Sequence, residues 1–434
     1  MQQKTSPSRR KFIKTGALAV GAFTIVPSFV LGKGYLAPSD KLTVGFVGTG
    51  KQARGLANRF ATLPEIQMVG ACDVEAQKLA LFEKIVSEKY AAAKRANDHK
   101  GLFTCVDYQE LLQRDDIDGI VVSTPDHWHA APSIEAMAAG KHVYCEKPLS
   151  HTIKEGRAMV DAARKYNKVL QTGSMQRSAE GFRKACELVR NGYVGDIKKI
   201  LVSVGDPARP CDLPAEPTPA HVDWERWIGP APMRPFNAIL SPPVEEDIFP
   251  RWRWFKEFGG GIIADWGAHM FDIAQWALGM DDSGPVTYIP PQDPKAVRGL
   301  RMLYANGVEM VHEDFDRGNA VRFIGSEGTL DVSRSFLDSK PETIVTAKLK
   351  DGETHLYKSE NHYLDWVNAI KNGTRPICDV EIGHRTATIC QIGNIAYELG
   401  RPLTWDPVKE KFAGDGQANK MRSKKYRKPF KVSV

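Results

Sequence analysis

A short apolar, β-branched run from Leu42 to Val47 passes directly into Gly48-Thr49-Gly50-Lys51-Gln52-Ala53, with a helix expected to start near Arg54. This G-x-G-x-x-A pattern between strand and helix constrains the chain more than any other feature. Gly48 permits the tight turn, Gly50 lets backbone approach a pyrophosphate, and Ala53 is small enough for the helix to pack on the strand. The helix N-terminus then offers amide hydrogens and partial positive charge to that pyrophosphate. A second strand, Gln67 to Cys72, ends in Asp73, 25 residues after Gly48. A carboxylate there accepts hydrogen bonds from adenosine ribose hydroxyls and repels a 2′-phosphate, which favours NAD over NADP.

Further strands are expected at Gly119 to Val122 and His142 to Cys145, with a helix over Ala130 to Ala139 between them. Alternation of this kind predicts a doubly wound parallel sheet whose ligands lie beyond the carboxyl ends of the strands. Polar residues stand at those ends: Ser123, Thr124, Pro125, Trp128 and His129 after one, Glu146 and Lys147 after the other. With Gly48, Thr49, Gly50, Lys51, Gln52 and Asp73 they are the candidate cofactor contacts, and Trp128 is a candidate wall of a nicotinamide pocket. Asp126, His127 and His129 lack further nearby ligands, so no metal site is expected. The seven cysteines show no metal spacing and read as buried free thiols.

In the second half, Gly259-Gly260-Gly261 leads into Asp265-Trp266-Gly267-Ala268-His269. On a helix, Asp265 and His269 share a face, where the carboxylate can orient the imidazole for acid/base work. Taken alone, such a pair is more often structural. The proline-rich stretch from Pro207 to Pro250 carries Trp224 and Trp227, and Arg251-Trp252-Arg253-Trp254 follows it. Arg251, Trp252 and Trp254, with Gln176 and Arg177, are the candidate substrate contacts, because apolar sugar faces stack on such rings.

The glycine fingerprint, Glu146-Lys147-Pro148 about 100 residues later, and the Gly-rich loop opening into Asp-x-x-x-His together resemble the Gfo/Idh/MocA family of glucose-fructose oxidoreductases and inositol dehydrogenases. The resemblance spans about residues 40 to 405. It implies an α/β Rossmann domain with a doubly wound parallel sheet over 40–165. An α+β substrate and oligomerisation domain over 166–405 would follow, built on an open, mainly antiparallel sheet fed by Ile197 to Val204, Val308 to His312 and Ala320 to Ile324. Helices would return over His362 to Lys371 and Gly383 to Leu399. Matched to the family's motifs, Lys147, Asp265 and His269 are the catalytic set. The implied activity is NAD-dependent oxidation of a sugar or glycoside hydroxyl, with C3 a candidate carbon, tightly bound NAD, and a homodimer or tetramer. Two alternatives stand beside it: a redox-neutral glycoside hydrolase or lyase, and a non-catalytic sugar-binding protein. The family often has Thr-Pro-Asn where this chain has Thr124-Pro125-Asp126, and an aliphatic residue where Trp128 stands.

Residues 1–34 read as a twin-arginine signal peptide, with Arg9-Arg10-Lys11 ahead of a short apolar stretch, and imply export to the periplasm through the Tat machinery with no stable membrane span in the mature form. The net charge of +7 is concentrated at the two ends, because 1–32 hold five basic and no acidic residues and 408–434 hold nine basic and two acidic ones. The basic tail, 406–434, belongs to no nucleic-acid-binding motif, so it is expected to be solvated and to pack on a neighbouring subunit rather than on nucleic acid.

Overall fold

In the computed structural model of the chain, residues 40–432 are described; the twin-arginine segment lies outside them. From Leu42 onward the chain packs as one unit. Its first sheet is built from β1 (Leu42–Val47), β2 (Ile66–Cys72), β3 (Phe103–Cys105), β4 (Gly119–Val122), β5 (His142–Cys145) and β6 (Leu170–Thr172). The spatial order is β3-β2-β1-β4-β5-β6, and every pairing is parallel. Strands buried on both faces explain the continuous apolar runs. The sheet takes its last strand, β6, from beyond residue 165.

The longer helices are α1 (Lys51–Phe60), α2 (Ala76–Ala92), α3 (Ala130–Ala138), α4 (Ile153–Lys165), α5 (Glu180–Arg190), α6 (Gly267–Leu278), α7 (His362–Asn372) and α8 (Val380–Leu399). On one face of the parallel sheet, Phe46, Phe60, Phe82 and Tyr144 form a core with Trp366 of α7, so a late helix completes an early domain. On the other face, α3 and α4 pack with Leu111 and Ile120.

The second sheet comprises β7 (Ile197–Ser203), β8 (Thr287–Ile289), β9 (Leu300–Leu303), β10 (Glu309–His312), β11 (Ala320–Gly325), β12 (Thr329–Val332), β13 (Leu337–Lys340), β14 (Leu403–Asp406) and β15 (Lys411–Phe412). Its order is β13-β12-β11-β7-β10-β9-β8-β14-β15, antiparallel throughout except where β10 runs parallel to β7. Residues of α5, α6 and α8 cover one face in a single large core. A doubly wound parallel sheet joined to a mainly antiparallel one is the expected fold class.

The stretch between β7 and α6 folds on itself. Trp224 and Trp227 stack at 4.5 Å and are buried with Phe236, Trp252, Phe255 and Phe258. They hold this segment together rather than forming an open platform for sugar.

The basic tail departs from expectation. Its described residues fold onto their own chain: Arg422 donates to the carbonyl of Glu410 at 2.6 Å, the Tyr426 hydroxyl donates to the Glu155 carboxylate, and Arg427 reaches the carbonyls of Glu225 and Gly229 at 2.9 and 3.0 Å. Carbonyls and carboxylates of the protein take up these cations in place of water.

Candidate active site

The glycine turn sits where β1 ends, with Gly48 at φ +85°. A Cβ there would lie 2.8 to 2.9 Å from the backbone of Ser123 and Thr124, so only glycine fits. Around Gly50 a Cβ would meet nothing within 4 Å, and that space opens into a cavity of about 540 Å³. Gly48, Gly50, Lys51, Gln52, Asp73, Ser123, Thr124, Pro125 and Trp128 line it.

Thr49 turns inward instead. Its amide and hydroxyl donate to Asp73 Oδ2 at 2.7 and 2.8 Å, while Asp73 Oδ1 accepts from the Glu75 amide at 2.9 Å. The carboxylate is therefore pinned to the glycine loop, at the strand end where a ribose is received. Lys51 pairs with Asp247 at 3.3 Å. The hydroxyls of Ser123 and Thr124 are buried and have no partner. A glycine cradle, a helix start, a placed acid and orphaned hydroxyls at the strand ends fit a dinucleotide.

A second cavity of about 350 Å³ adjoins the first, sharing Gln52, Ser123, Thr124 and Arg253. Lys147, Glu146, Asp265, His269, His129, Arg251, Trp252, Trp254 and Arg334 line it. The catalytic candidates thus come together, but not as the helical spacing suggested. Asp265 ends a short helical turn, Ile262–Asp265, and Trp266 separates it from α6, which carries His269. Asp265 Oδ1 accepts from Lys147 Nζ at 2.5 Å and from Arg253 Nε at 3.3 Å, so its ion pairs point away from the imidazole it was expected to orient. Burial alone would raise the Asp265 carboxyl; Lys147 and Arg253 overturn this and hold it at about 2.

His269 Nε2 instead accepts from the Arg334 guanidinium at 3.1 Å. Because arginine only donates, the ring carries its proton on Nδ1, which is buried without a partner. Burial, Lys147 and Arg334 keep this imidazole well below the usual histidine range, and hence neutral. Arg334 also lies over the Trp266 ring at 4.6 Å.

Asp126 is buried on the same wall, and burial pushes its carboxyl up to about 7 against the pull of Arg253. A carboxyl raised this far is partly protonated near neutrality, at the position where the family often carries an asparagine. Glu146 is likewise raised by burial. The imidazoles of His127 and His129 are occupied by backbone carbonyls, the first by Phe258 and Trp227, the second by Pro148 and Thr124.

Two candidates lie elsewhere, and a third lines the cofactor cavity away from its expected end. Arg177 is buried and bridges Asp272 and Asp281 at 2.8 and 2.7 Å behind α6, and Gln176 is buried against Met270. Neither lines either of these two cavities; both contact residues of α6. Trp128 lines the dinucleotide cavity between Tyr108 and Phe430, on the Asp73 side and away from Lys147.

Family models match two stretches: residues 42–174 fit the oxidoreductase family's NAD-binding Rossmann fold, and residues 208–432 fit its C-terminal alpha/beta domain. The chain belongs to the Gfo/Idh/MocA family. Among family relatives, a 1,5-anhydro-D-fructose reductase of Ensifer adhaerens is 27% identical over 307 residues, 68% of this chain and 80% of that protein. A glycosyl hydrolase family 109 protein of Shewanella sp. (strain W3-18-1) is 30% identical over 207 residues, 44% of each chain. The chain thus matches under half the length of that relative. In structure, the WlbA dehydrogenase of Bordetella pertussis, solved with NADH and UDP-GlcNAcA, superposes with a TM-score of 0.58 at 17% identity, over 84% of this chain and 99% of that one. That likeness concerns the fold.

Within this Gfo/Idh/MocA framework, sequence reading missed Arg253 and Arg334 as site residues. Arg253 stood in the Arg-Trp-Arg-Trp run, whose tryptophans drew attention; Arg334 follows β12 with no local motif at all.

Proposed function

We propose that this chain is an NAD-dependent oxidoreductase acting on a secondary hydroxyl of a sugar or glycoside, with Lys147, Asp265 and His269 as its catalytic set. The observation that carries the reading is the Lys147–Asp265 ion pair at 2.5 Å beside His269, in a cavity that opens onto the dinucleotide cradle. When bound, NAD⁺ supplies the acceptor for the hydride that leaves the carbinol carbon. Lys147 Nζ, held by Asp265, donates to the hydroxyl oxygen and stabilises the negative charge developing there. His269 receives the hydroxyl proton at Nε2, the nitrogen with the free lone pair, once the substrate hydroxyl takes the place of Arg334. Trp254, beside Arg251, forms the apolar wall against which a sugar face packs.

Tight retention of NAD, assembly as a homodimer or tetramer, and export by the twin-arginine route are parts of the same proposal. Replacing Lys147 by Met should lower sugar-dependent reduction of the bound cofactor by about 1000-fold or more while nucleotide, identified by mass, stays bound. Near-normal turnover in Lys147→Met sinks the assignment.

The names of the family 109 relatives favour a second reading, in which oxidation is transient and a glycosidic bond is cleaved. An aryl glycoside without added cofactor separates the two: free phenol with reducing sugar supports hydrolysis, and a keto-sugar supports oxidation.

A further inference from the structure

The dinucleotide cavity is closed on one side by residues that no cofactor motif includes. Pro429, Phe430 and Lys431 line it, more than 350 positions after the glycine turn that lines it too. Phe430 meets Trp128 edge to face with ring centroids 5.3 Å apart, and Trp128 meets Tyr108 in the same manner at 6.0 Å. Three aromatic rings thus line one stretch of the cavity.

Their position says which half of a dinucleotide they face. Asp73, Val74, Val106 and Asp107, at the ends of β2 and β3, line the same cavity, whereas Lys147 and His269 lie in the adjoining one. In a doubly wound sheet the pyrophosphate crosses at the first glycine turn and the adenosine lies toward the acid after the second strand. The rings therefore stand at the adenosine end, where a purine has faces to stack on them.

The segment that delivers Phe430 is fastened along its length. The Arg422 carbonyl accepts from the Lys154 amide at 3.0 Å, and the Lys424 ammonium meets His151 Nε2 at 2.6 Å. Tyr426 donates to Glu155, whose other carboxylate oxygen caps α4 through the Thr152 amide at 2.8 Å. Arg427 clamps the 225–230 stretch, its own amide donating to the Pro230 carbonyl at 3.1 Å, and its guanidinium lies over the Phe430 ring at 5.2 Å. Beyond this clamp Val432 packs against the apolar cluster beneath α3 and α4, so Phe430 is held between two fastened points. The Phe430 amide donates back to the Arg427 carbonyl at 3.0 Å, and Lys431 makes no ion pair among the described residues.

We propose that residues 422–431 are a strap belonging to the cofactor site: fastened to α4 and to the 225–230 stretch, they hold Phe430 over the adenosine half of the dinucleotide and make the cofactor non-exchanging. The proposal rests on reading the larger cavity as the NAD site, and it adds the element that retains NAD there.

The test uses the full-length holoenzyme and two variants, Phe430→Ala and Phe430→Trp. Bound nucleotide is measured by mass after prolonged gel filtration, and release of NADH is followed by fluorescence on chasing with excess NAD⁺. The wild type and Phe430→Trp should retain nucleotide, and Phe430→Ala should release it about tenfold to hundredfold faster, the range expected for loss of one base–aromatic stack. The melting temperature of nucleotide-free Phe430→Ala should match that of nucleotide-free wild type. If Phe430→Ala does not fold, a chain ending at Lys428 is measured in its place. Equal release rates overturn the proposal. So does an equally large loss of stability in the nucleotide-free variant, which marks a merely structural tail. Free exchange in the wild type overturns it too. The oxidoreductase reading is judged separately, by whether sugar reduces NAD⁺ supplied in excess, and its failure leaves the release measurement intact.

Discussion

Asp265 has one carboxylate and three neighbours that could use it. Lys147 and Arg253 take it through direct ion pairs, and His269 feels it only at a distance. Spacing along the chain put Asp265 and His269 together, because four residues make one helical turn. What it could not register was the break at Trp266, or a lysine 118 positions earlier with a full positive charge to offer. The consequence falls on His269, whose basicity is set by burial, then Lys147, then Arg334, all of which disfavour its protonated form. A general base must be neutral, so activity falls as pH drops through the pKa of the imidazole, which stands well below 6.5 in the intact protein. Removing the Arg334 charge takes away one of the three lowering influences and raises that pKa. In Arg334→Met the acid limb of kcat/KM should therefore move to higher pH and remain below 6.5, because burial and Lys147 still act. A profile of kcat/KM between pH 4 and 8 checks this, and a limb that stays put removes His269 as the base.

At the scale of elements, the two glycines of the turn have separable tasks. Gly48 has a backbone conformation that side chains rarely adopt, and its missing Cβ faces the main chain of Ser123 and Thr124, which cannot swing aside. Gly50, at φ −64°, is unstrained and borders open cavity. Gly48→Ala should lower stability by about 1–3 kcal/mol in denaturant melts as the β1 turn is forced open. Gly50→Ala should melt as wild type yet lose bound nucleotide, since its Cβ occupies only the space a pyrophosphate needs. If the two variants behave alike, the cradle is misassigned. The same local logic made most of the parallel sheet legible, since β1, β4 and β5 are continuous apolar runs ended by polar residues. In the second sheet it found β7, β10 and β11, which are neighbours at its centre. Its margins escaped: β13 is Leu-Asp-Ser-Lys, and β15 is two residues long. Edge strands are short and polar, and a strand with one partner needs little apolar pattern.

For the molecule as a whole, the tail was only half legible: seven of the nine basic residues in 408–434 are exposed, as in a solvated stretch, yet the segment is fastened to its own chain. The fastening runs through Arg422, Tyr426 and Arg427, whose partners are backbone carbonyls and a carboxylate scattered from Glu155 to Glu410, a set that only the folded chain assembles. A strap of this kind changes what turnover can look like. An enzyme that does not exchange its nicotinamide cannot run on a pool of free NAD⁺, and each oxidation must be undone in the same site before the next begins. Export to a compartment without NAD, which the proposed twin-arginine signal implies, would make that constraint unavoidable. Purified holoenzyme given an oxidisable sugar alone should therefore show a rise in reduced-nicotinamide absorbance stoichiometric with protein, and then stop. Adding free NAD⁺ should not prolong the rise, whereas adding a keto-sugar or aldose that accepts the hydride should discharge it and restart turnover. With an aryl glycoside under the hydrolytic reading, phenol should accumulate with no lasting rise at all. A steady rise that scales with added NAD⁺ would mean that the cofactor comes and goes as an ordinary substrate, and that Phe430 closes nothing.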